Sequence, residues 1–489
     1  MDILIMLLPV LLPVAGGALI LGIPFKSERA RNIYAEIVVC VTSLAAFCVI
    51  AYHPEGRVVL YSISKGFSLA FRVDGLSVLF AGMVSCMWPL VMLYAFEYMH
   101  HDKRGGAFFA FFVMTFGVTL GVAFSANLTT MYVFYELLSL VTLPLVTHYG
   151  HRESMYAGRI YAVFTIGGAS LSFIAVIAAT VFGDAGTFSY GGCMNSFVRP
   201  GIIQASYLLA FLGFGTKAAV FPIYYWLPTA SVAPTPVTAL LHAVAVVNSG
   251  VFAVMRTTWY VFGPDVLVGT PAQEICLALS IFTLVFASVV AIKERHFKRR
   301  LAYSTVANLS YMLFGIELMT VRGFTGGMTH MLFHGIMKML LFLCAGAFMH
   351  QAERNYIFEM NGIGRKMPVT FACYTVGALS LTGIPFFCGF VSKWILMEAG
   401  AGAGTALGVA GTCALIAAAF LCAVYSLSVS VRAFFPIAGR EMYRNGKDVK
   451  EAGVLMLIPI VVFAVLTVVF GTAPGTVLDF IGRIAAGQI

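Results

Sequence analysis

Four ionisable side chains stand in stretches of this sequence that are otherwise apolar enough for a lipid bilayer, and their types point to proton chemistry. Glu136 lies in MYVFYELLSLVTLPL, Lys217 in FLGFGTKAAVFPIYYW, Lys338 in MTHMLFHGIMKMLLFL and Lys393 in LTGIPFFCGFVSKWI. A charge at the bilayer centre costs about 2.5–3.5 kcal/mol on insertion scales, so four unpaired ones cost on the order of 10–14 kcal/mol. That rivals the ~5–15 kcal/mol stability of a whole domain. The four must therefore face protein or water and find partners. One carboxylate cannot pair with three lysines, so a wet row is expected in place of simple ion pairs that fasten helices. His330, His334 and Lys338 recur every four residues and so share one stripe of a helix. Histidine titrates near neutral pH, and buried amines lose basicity, so such a stripe can exchange protons with water. His242 and Asn248 follow Lys217 in the next apolar stretch and extend the set. Metal binding by His330 and His334 is disfavoured, because no carboxylate or cysteine stands near them in sequence to complete a site.

The elements that must hold these groups are membrane helices. Hydrophobic residues make up 60% of the 489 and charged residues only 10%, with a mean hydropathy of +0.92. A soluble chain has roughly 25% charged residues. The composition predicts an all-α polytopic membrane protein with no sizeable soluble domain. The net charge of +9 resides in short loops, an orientation signal, and nucleic-acid binding is excluded. The ten cysteines form no C-x-x-C pair, and no G-x-G-x-x-G or P-loop occurs, so no cofactor is expected. No nucleophile–base pair suggests an intramembrane hydrolase.

A span needs ~20 apolar residues, which gives about fourteen: 3–22, 33–52, 74–98, 106–124, 127–147, 157–183, 204–229, 235–262, 270–292, 301–321, 325–351, 368–399, 404–436 and 452–473. The run from Met1 to Leu21 reads as a retained first span. Loops after odd spans carry most of the basic residues: Lys26, Arg29 and Arg31; Lys103 and Arg104; Arg152; Lys293, Arg295, Lys298, Arg299 and Arg300; Arg354, Arg365 and Lys366; Arg440, Arg444, Lys447 and Lys450. Loops after even spans are nearly bare, apart from Arg57, Lys65 and Arg72 early on, Arg199 and Arg322. This alternation places both termini on the outer face of the membrane.

Spans four to eight and nine to thirteen form two sets of five. An odd number per set inverts the second against the first, the topology of an inverted-repeat transporter. The fourth helix of each set pairs a lysine with a proline break, Lys217 with Pro222 and Lys393 with Pro385. Pro228, Pro234 and Pro236 interrupt the first set further, and Ser231 and Thr235 mark the turn there. Trp226 fits either an interfacial anchor or a gate. The expected division is 1–105 for spans one to three, 106–265 and 266–437 for the two five-helix sets, and 438–489 for the last loop and span.

These motifs resemble the antiporter-like membrane subunits shared by respiratory complex I, membrane-bound hydrogenases and Mrp-type sodium/proton antiporters. The matching segments are FRVDGLSVLFAGM (71–83), YAFEYMHHD (94–102), YELLSL (135–140), FGTKAAVFPIYYWLPTASVAPTPVTALLHA (214–243), KRRLAYSTVANLSYM (298–312), HMLFHGIMKMLLFLCAG (330–346) and GIPFFCGFVSKW (383–394). The resemblance implies that Glu136 and Lys217 are the family's glutamate–lysine pair. It implies a central hydrophilic axis at His242, His330, His334 and Lys338, and a terminal ionisable group at Lys393. It also implies a non-catalytic subunit that passes protons, or exchanges sodium for them, beside further membrane subunits and a hydrophilic iron–sulfur redox arm, in the plasma membrane of a prokaryote. The alternatives are an Mrp-type subunit without a redox arm, a stand-alone transporter, or a non-conducting scaffold. Two positions depart from the family. Asn248 stands where several members have a lysine, and His296 stands where many have an acid before KRRLAYS. With the chain ending at Ile489, a shorter subunit without a lateral helix is expected.

Overall fold

The computed structural model describes residues 2–52, 56–64, 67–100, 102–184, 186–194, 199–436 and 449–489. Lys65, Arg440, Arg444 and Lys447, used above for orientation, lie outside the described residues, as does the expected boundary at 437–438.

The first six expected spans are six helices: α1 (Asp2–Gly22), α2 (Glu28–Tyr52), α3 (Gly75–Tyr98), α4 (Gly105–Ala123), α5 (Leu128–Val146) and α6 (Arg152–Phe182). Span seven divides into α7 (Pro200–Gly215) and the single turn α8 (Trp226–Thr229). Span eight divides into α9 (Thr235–Ala243), α10 (Val246–Arg256) and a π-helical segment, Thr257–Phe262, before the short α11 (Pro264–Leu267). Next come α12 (Pro271–Lys293), α13 (Phe297–Glu317) and α14 (Val321–Ala352). Span twelve is two half-helices, α15 (Pro368–Thr382) and α16 (Cys388–Gly402), and spans thirteen and fourteen are α17 (Ala406–Phe434) and α18 (Val454–Thr472). Two elements go beyond the expected set. One is the amphipathic α19 (Gly475–Ala485), and the other is an antiparallel hairpin of β1 (Val58–Ser64) and β2 (Phe67–Phe71).

Among the described residues, eleven helical stretches are long and apolar enough to cross a membrane, with Thr235–Phe262 taken as one. The three expected spans outside that set have physical reasons to be there. Spans seven and twelve are broken into short halves, and α13 opens on Lys298, Arg299 and Arg300 and carries Ser304, Thr305, Asn308 and Ser310 along its length.

The helices are sorted radially. Thr235–Phe262 is completely buried and α14 very nearly so, while α17 and α18 are only about a third buried. The outer helices expose Leu4, Leu44, Val163, Val181, Phe420 and Val465. The inner ones bury Lys217, His242, Asn248, His330, His334 and Lys338. This is the arrangement lipid requires, with apolar side chains outward and polar ones facing protein. At the centre, α14 packs against α3, α9, α13, α15, α16, α18 and α19.

Helix ends are satisfied locally and at long range. Asp74, Asn127, Thr270, Thr320 and Thr405 cap α3, α5, α12, α14 and α17 through side-chain oxygens. Glu97, at the end of α3, accepts the Gly453 N–H at 2.7 Å and so closes the start of α18. Glu451 closes the start of α15 by accepting from the Val369 N–H at 2.8 Å and the Thr370 hydroxyl at 2.6 Å. The hairpin is stitched to the α4–α5 turn by Ala126 N–H to the Ala70 carbonyl (2.9 Å) and by Asn127 Nδ2 to the Ser68 carbonyl (2.9 Å).

Candidate functional site: a row of buried ionisable groups

The row begins on α5. Glu136 is half-buried and its Oε1 has no hydrogen-bond partner. One turn on, the buried Ser139 hydroxyl is likewise unpartnered. Lys217 lies within Coulomb reach of Glu136 but forms no direct ion pair with it. Its amine instead donates to the Tyr135 carbonyl and sits 3.5 Å from the centroid of the Tyr135 ring. The backbone places it there. α7 stops at Gly215, and residues 216–225 run as turns with Ala219 in the left-handed region (φ 55°). Gly250 of α10 lies against this bend. A Cβ there would be 2.6 Å from the Ala218 nitrogen and 2.8 Å from Lys217 Cβ.

Pro222 is exposed at the outer side of the break. Trp226 departs from the expected interfacial anchor, because its side chain is wholly buried within the protein. Its Nε1 donates to the Thr216 carbonyl at 2.7 Å and its ring packs edge-on to Tyr161. A backbone oxygen released by the break is thereby satisfied inside the membrane, as a discontinuous helix there requires.

A second break falls where the sequence predicts a continuous helix. Span eight is interrupted at Val244 and Ala245, directly after His242. Asn248 Nδ2 donates to the Ala243 carbonyl at 2.7 Å, so Asn248 caps the broken turn, while its Oδ1 and the neighbouring Ser249 hydroxyl are orphaned. His242 stacks on Phe342, 4.7 Å between centroids, and its Nε2 is 3.4 Å from the Ser231 hydroxyl, with Nδ1 free of partners. Lys298 and Lys338 are its cationic neighbours. Lys298, an interfacial loop residue by sequence, is instead buried, with its amine on the Ala233 carbonyl at 2.8 Å. Its place at the head of a basic cluster disguises it.

α14 carries the middle of the row on one stripe, as its spacing predicts. Lys338 donates to the Leu301 carbonyl at 3.2 Å and to the Ser304 hydroxyl. His334 has neither ring nitrogen hydrogen-bonded. His330 bridges Ser392 (Nδ1, 2.9 Å) and Asn308 (Nε2, 3.2 Å), with its ring 6.2 Å from that of His334. The row ends at Lys393 on α16, whose amine donates to the Leu381 carbonyl at 2.6 Å and the Thr382 carbonyl at 3.3 Å, over the Tyr311 ring. These carbonyls are the free C-terminal end of half-helix α15, where cations are favoured. Pro385 is exposed in the connecting turn. α13 supplies Leu301, Ser304, Asn308 and Tyr311 at three- and four-residue spacing, one face of partners for Lys338, His330 and Lys393.

Two buried charges outside the row escape sequence reasoning as well. Glu317 is fully buried at the end of α13, with both carboxylate oxygens 2.8 Å from the Tyr207 hydroxyl. Arg256 is fully buried at the end of α10, paired with Asp74 at 2.6 and 2.7 Å. Among the described residues, no group of three or more His, Cys, Asp or Glu is placed to hold a metal ion.

Broken helices meeting at buried lysines and histidines define a polytopic membrane protein with discontinuous spans. Residues 125–417 match the family described as NADH:quinone oxidoreductase/Mrp antiporter, transmembrane, and residues 60–109 match the N-terminal region of complex I chain 5. The chain belongs to this NADH:quinone oxidoreductase/Mrp antiporter family. It is 30% identical over 496 residues to a Na(+)/H(+) antiporter subunit of Alkalihalophilus pseudofirmus, covering 92% of this chain and 59% of that one. It is also 30% identical over 485 residues to the NADH-quinone oxidoreductase L subunit of Mycobacterium tuberculosis, covering 94% and 74%. The chain spans about half the length of the first curated relatives it matches. The fold is shared with a chain of the Mrp complex from Dietzia (TM-score 0.87, 20% identity, 99% of this chain and 97% of that). It is shared too with a chain of respiratory complex I from Thermus thermophilus (0.81, 22%, 99% and 98%).

Proposed function

We propose that this chain is an ion-translocating membrane subunit that passes protons along Glu136, Lys217, His242, His334, His330, Lys338 and Lys393. One observation carries the reading. Of the eleven buried side-chain polar atoms without a hydrogen-bond partner among the described residues, four lie on this row (one each on Glu136 and His242, two on His334) and three more lie beside it in sequence, on Ser139, Asn248 and Ser249. Buried polar atoms are rarely left unpaired, and such sites in proteins hold ordered water. Orphans concentrated along titratable groups mark a water-filled proton route.

In this reading Glu136 is the switch. A pair of unit charges 4 Å apart at an effective dielectric of ~20 couples by about 4 kcal/mol, or ~3 pKa units. Glu136 and Lys217 stand farther apart than an ion pair and couple more weakly at rest. Closing the gap holds the proton on Lys217, and opening it releases the proton towards His242 through water at Asn248 and Ser249. His334, unpartnered at both nitrogens, takes the proton from His242 and passes it by way of His330 and Lys338 to Lys393, the terminal store. Trp226, Pro222 and Pro385 support the two breaks without carrying protons. Spans four to eight and nine to thirteen serve as two inverted half-channels.

The chain sits in a prokaryotic plasma membrane, both termini outward, beside other membrane subunits. Its parent is a redox complex with a hydrophilic iron–sulfur arm. The second reading, a cation/proton antiporter without that arm, is favoured by the Na(+)/H(+) antiporter relatives. Co-purification with iron–sulfur subunits separates the two. Lys217→Ala in the purified complex reconstituted in liposomes is expected to abolish proton transfer while assembly is kept. Transfer at the unaltered rate refutes the role given to the row.

A further inference from the structure

We propose that a cleft between the ends of α12, α13 and α17 binds the phosphate headgroup of an anionic phospholipid, with an acyl chain lying along α17. The cleft holds about 580 Å³ and is lined by Arg295, Arg300 and Arg432 together with Tyr425 and Ser428. Three guanidiniums converge there, and among the described residues none forms an ion pair with a carboxylate. The nearby Glu294 is spent on Arg299 at 3.4 Å and on the backbone N–H groups of Arg295 and His296. Arg300 is held rigidly, donating to the Glu294 carbonyl (2.9 Å), the Tyr425 carbonyl (3.2 Å), the Ser428 hydroxyl (3.2 Å) and the Ile292 carbonyl (3.3 Å). Arg300, its donors largely taken by protein oxygens, contributes fixed positive charge, while Arg295 and Arg432, with no carboxylate partner among the described residues, supply the planar forks that match phosphate oxygens.

The occupant is a lipid, not a free anion, because of what leads out of the cleft. Ile416, Phe420, Val424, Ser428 and Arg432 recur every four residues and form one ridge that winds gradually around α17. Ile416, Phe420 and Val424 are 45%, 73% and 57% exposed. The stripe is apolar for its first three members and polar at the cleft, the profile of an acyl chain joined to a headgroup. At ~1.5 Å per residue the row from Ile416 to Arg432 is about 24 Å long, comparable with one leaflet and its headgroup region. The cleft also lies at the basic, cytoplasmic end expected for these helices, where anionic lipids concentrate.

The test uses the assembled complex extracted in mild detergent, with bound phospholipid counted by mass spectrometry. Arg295→Gln/Arg432→Gln spares the backbone contacts of Arg300 and is expected to lose the tightly held anionic phospholipid while zwitterionic lipid is unchanged. Delipidated wild-type complex is expected to regain thermal stability with phosphatidylglycerol vesicles but not with phosphatidylcholine vesicles or inorganic phosphate, and Phe420→Glu is expected to weaken that rescue. Retention of the anionic lipid by the double variant overturns the proposal. So does equal rescue by phosphate, which would assign the cleft to a free anion. A cross-link from position 424 to a neighbouring subunit would assign the surface to protein and overturn it too.

Discussion

At the scale of single residues, the buried lysines are satisfied by carbonyl and hydroxyl oxygens instead of carboxylates. Lys217, Lys298, Lys338 and Lys393 each donate to at least one backbone carbonyl. Such partners serve the amine whether or not it carries the extra proton, so the groups need no permanent counter-ion. Position then matters more than charge balance. Gly250→Ala puts a methyl group 2.8 Å from Lys217 Cβ, and a displacement of that kind is expected to cost on the order of 10–100-fold in transfer rate. Proton flux in liposomes against the amount of folded protein measures it. His296, the departure from the family pattern, caps α13 by accepting the Arg299 N–H at 3.4 Å. Burial, then the Lys298 and Arg299 charges, push its imidazole down from 6.5 to about 4. The native state keeps it neutral while the unfolded chain gains a proton near 6.5. Its contribution to stability is therefore complete above pH 6.5 and lost as pH falls from 6.5 towards about 4. His296→Asn keeps the cap, and its melting temperature is expected to fall less steeply over that interval.

At the scale of elements, the structure depends on caps supplied from far away in sequence. Glu97 closes α18 across 356 residues, and Glu97→Ala is expected to destabilise the chain by ~1 kcal/mol. Gly453→Ala, whose Cβ would run into the Glu97 carboxylate, breaks the same contact. The two changes together are expected to cost less than their sum in thermal unfolding. The two proline breaks were legible in the sequence because proline removes a donor and a lysine stood beside each. The break after His242 was not, since Ala243, Val244 and Ala245 carry no breaking signal and Asn248 alone hints at it. Lys298 was hidden in a basic run, where an inward and an outward lysine look alike. The hairpin was hidden in a loop, although its alternating Tyr61, Ser62 and Phe67, Ser68 carry the period of a strand.

At the scale of the molecule, the order of helices was legible because hydropathy records each crossing. One tie between α3 and the rest was not, because it depends on charges distant in sequence, although α1 and α2 also pack directly on α4 and α3 on α18. Arg256 is buried among the Phe188, Phe252 and Tyr260 rings and grips Asp74 at the start of α3 with two hydrogen bonds, while Arg72 pairs with the same carboxylate at 2.9 Å. Removing one partner of a buried pair costs ~3–5 kcal/mol, mostly for the stranded charge. Asp74→Asn is expected to lower the melting temperature sharply, and Asp74→Asn/Arg256→Met to recover part of the loss.

The seat of Lys393 has a mechanical consequence. Its amine is clasped by the open end of one half-helix while its own backbone belongs to the next, so tilting α15 against α16 stretches the very bonds that hold it in place. Amine position and bend angle become two readings of a single coordinate. A neighbouring subunit leaning on the exposed 384–386 elbow would thereby shift the Lys393 amine without touching it.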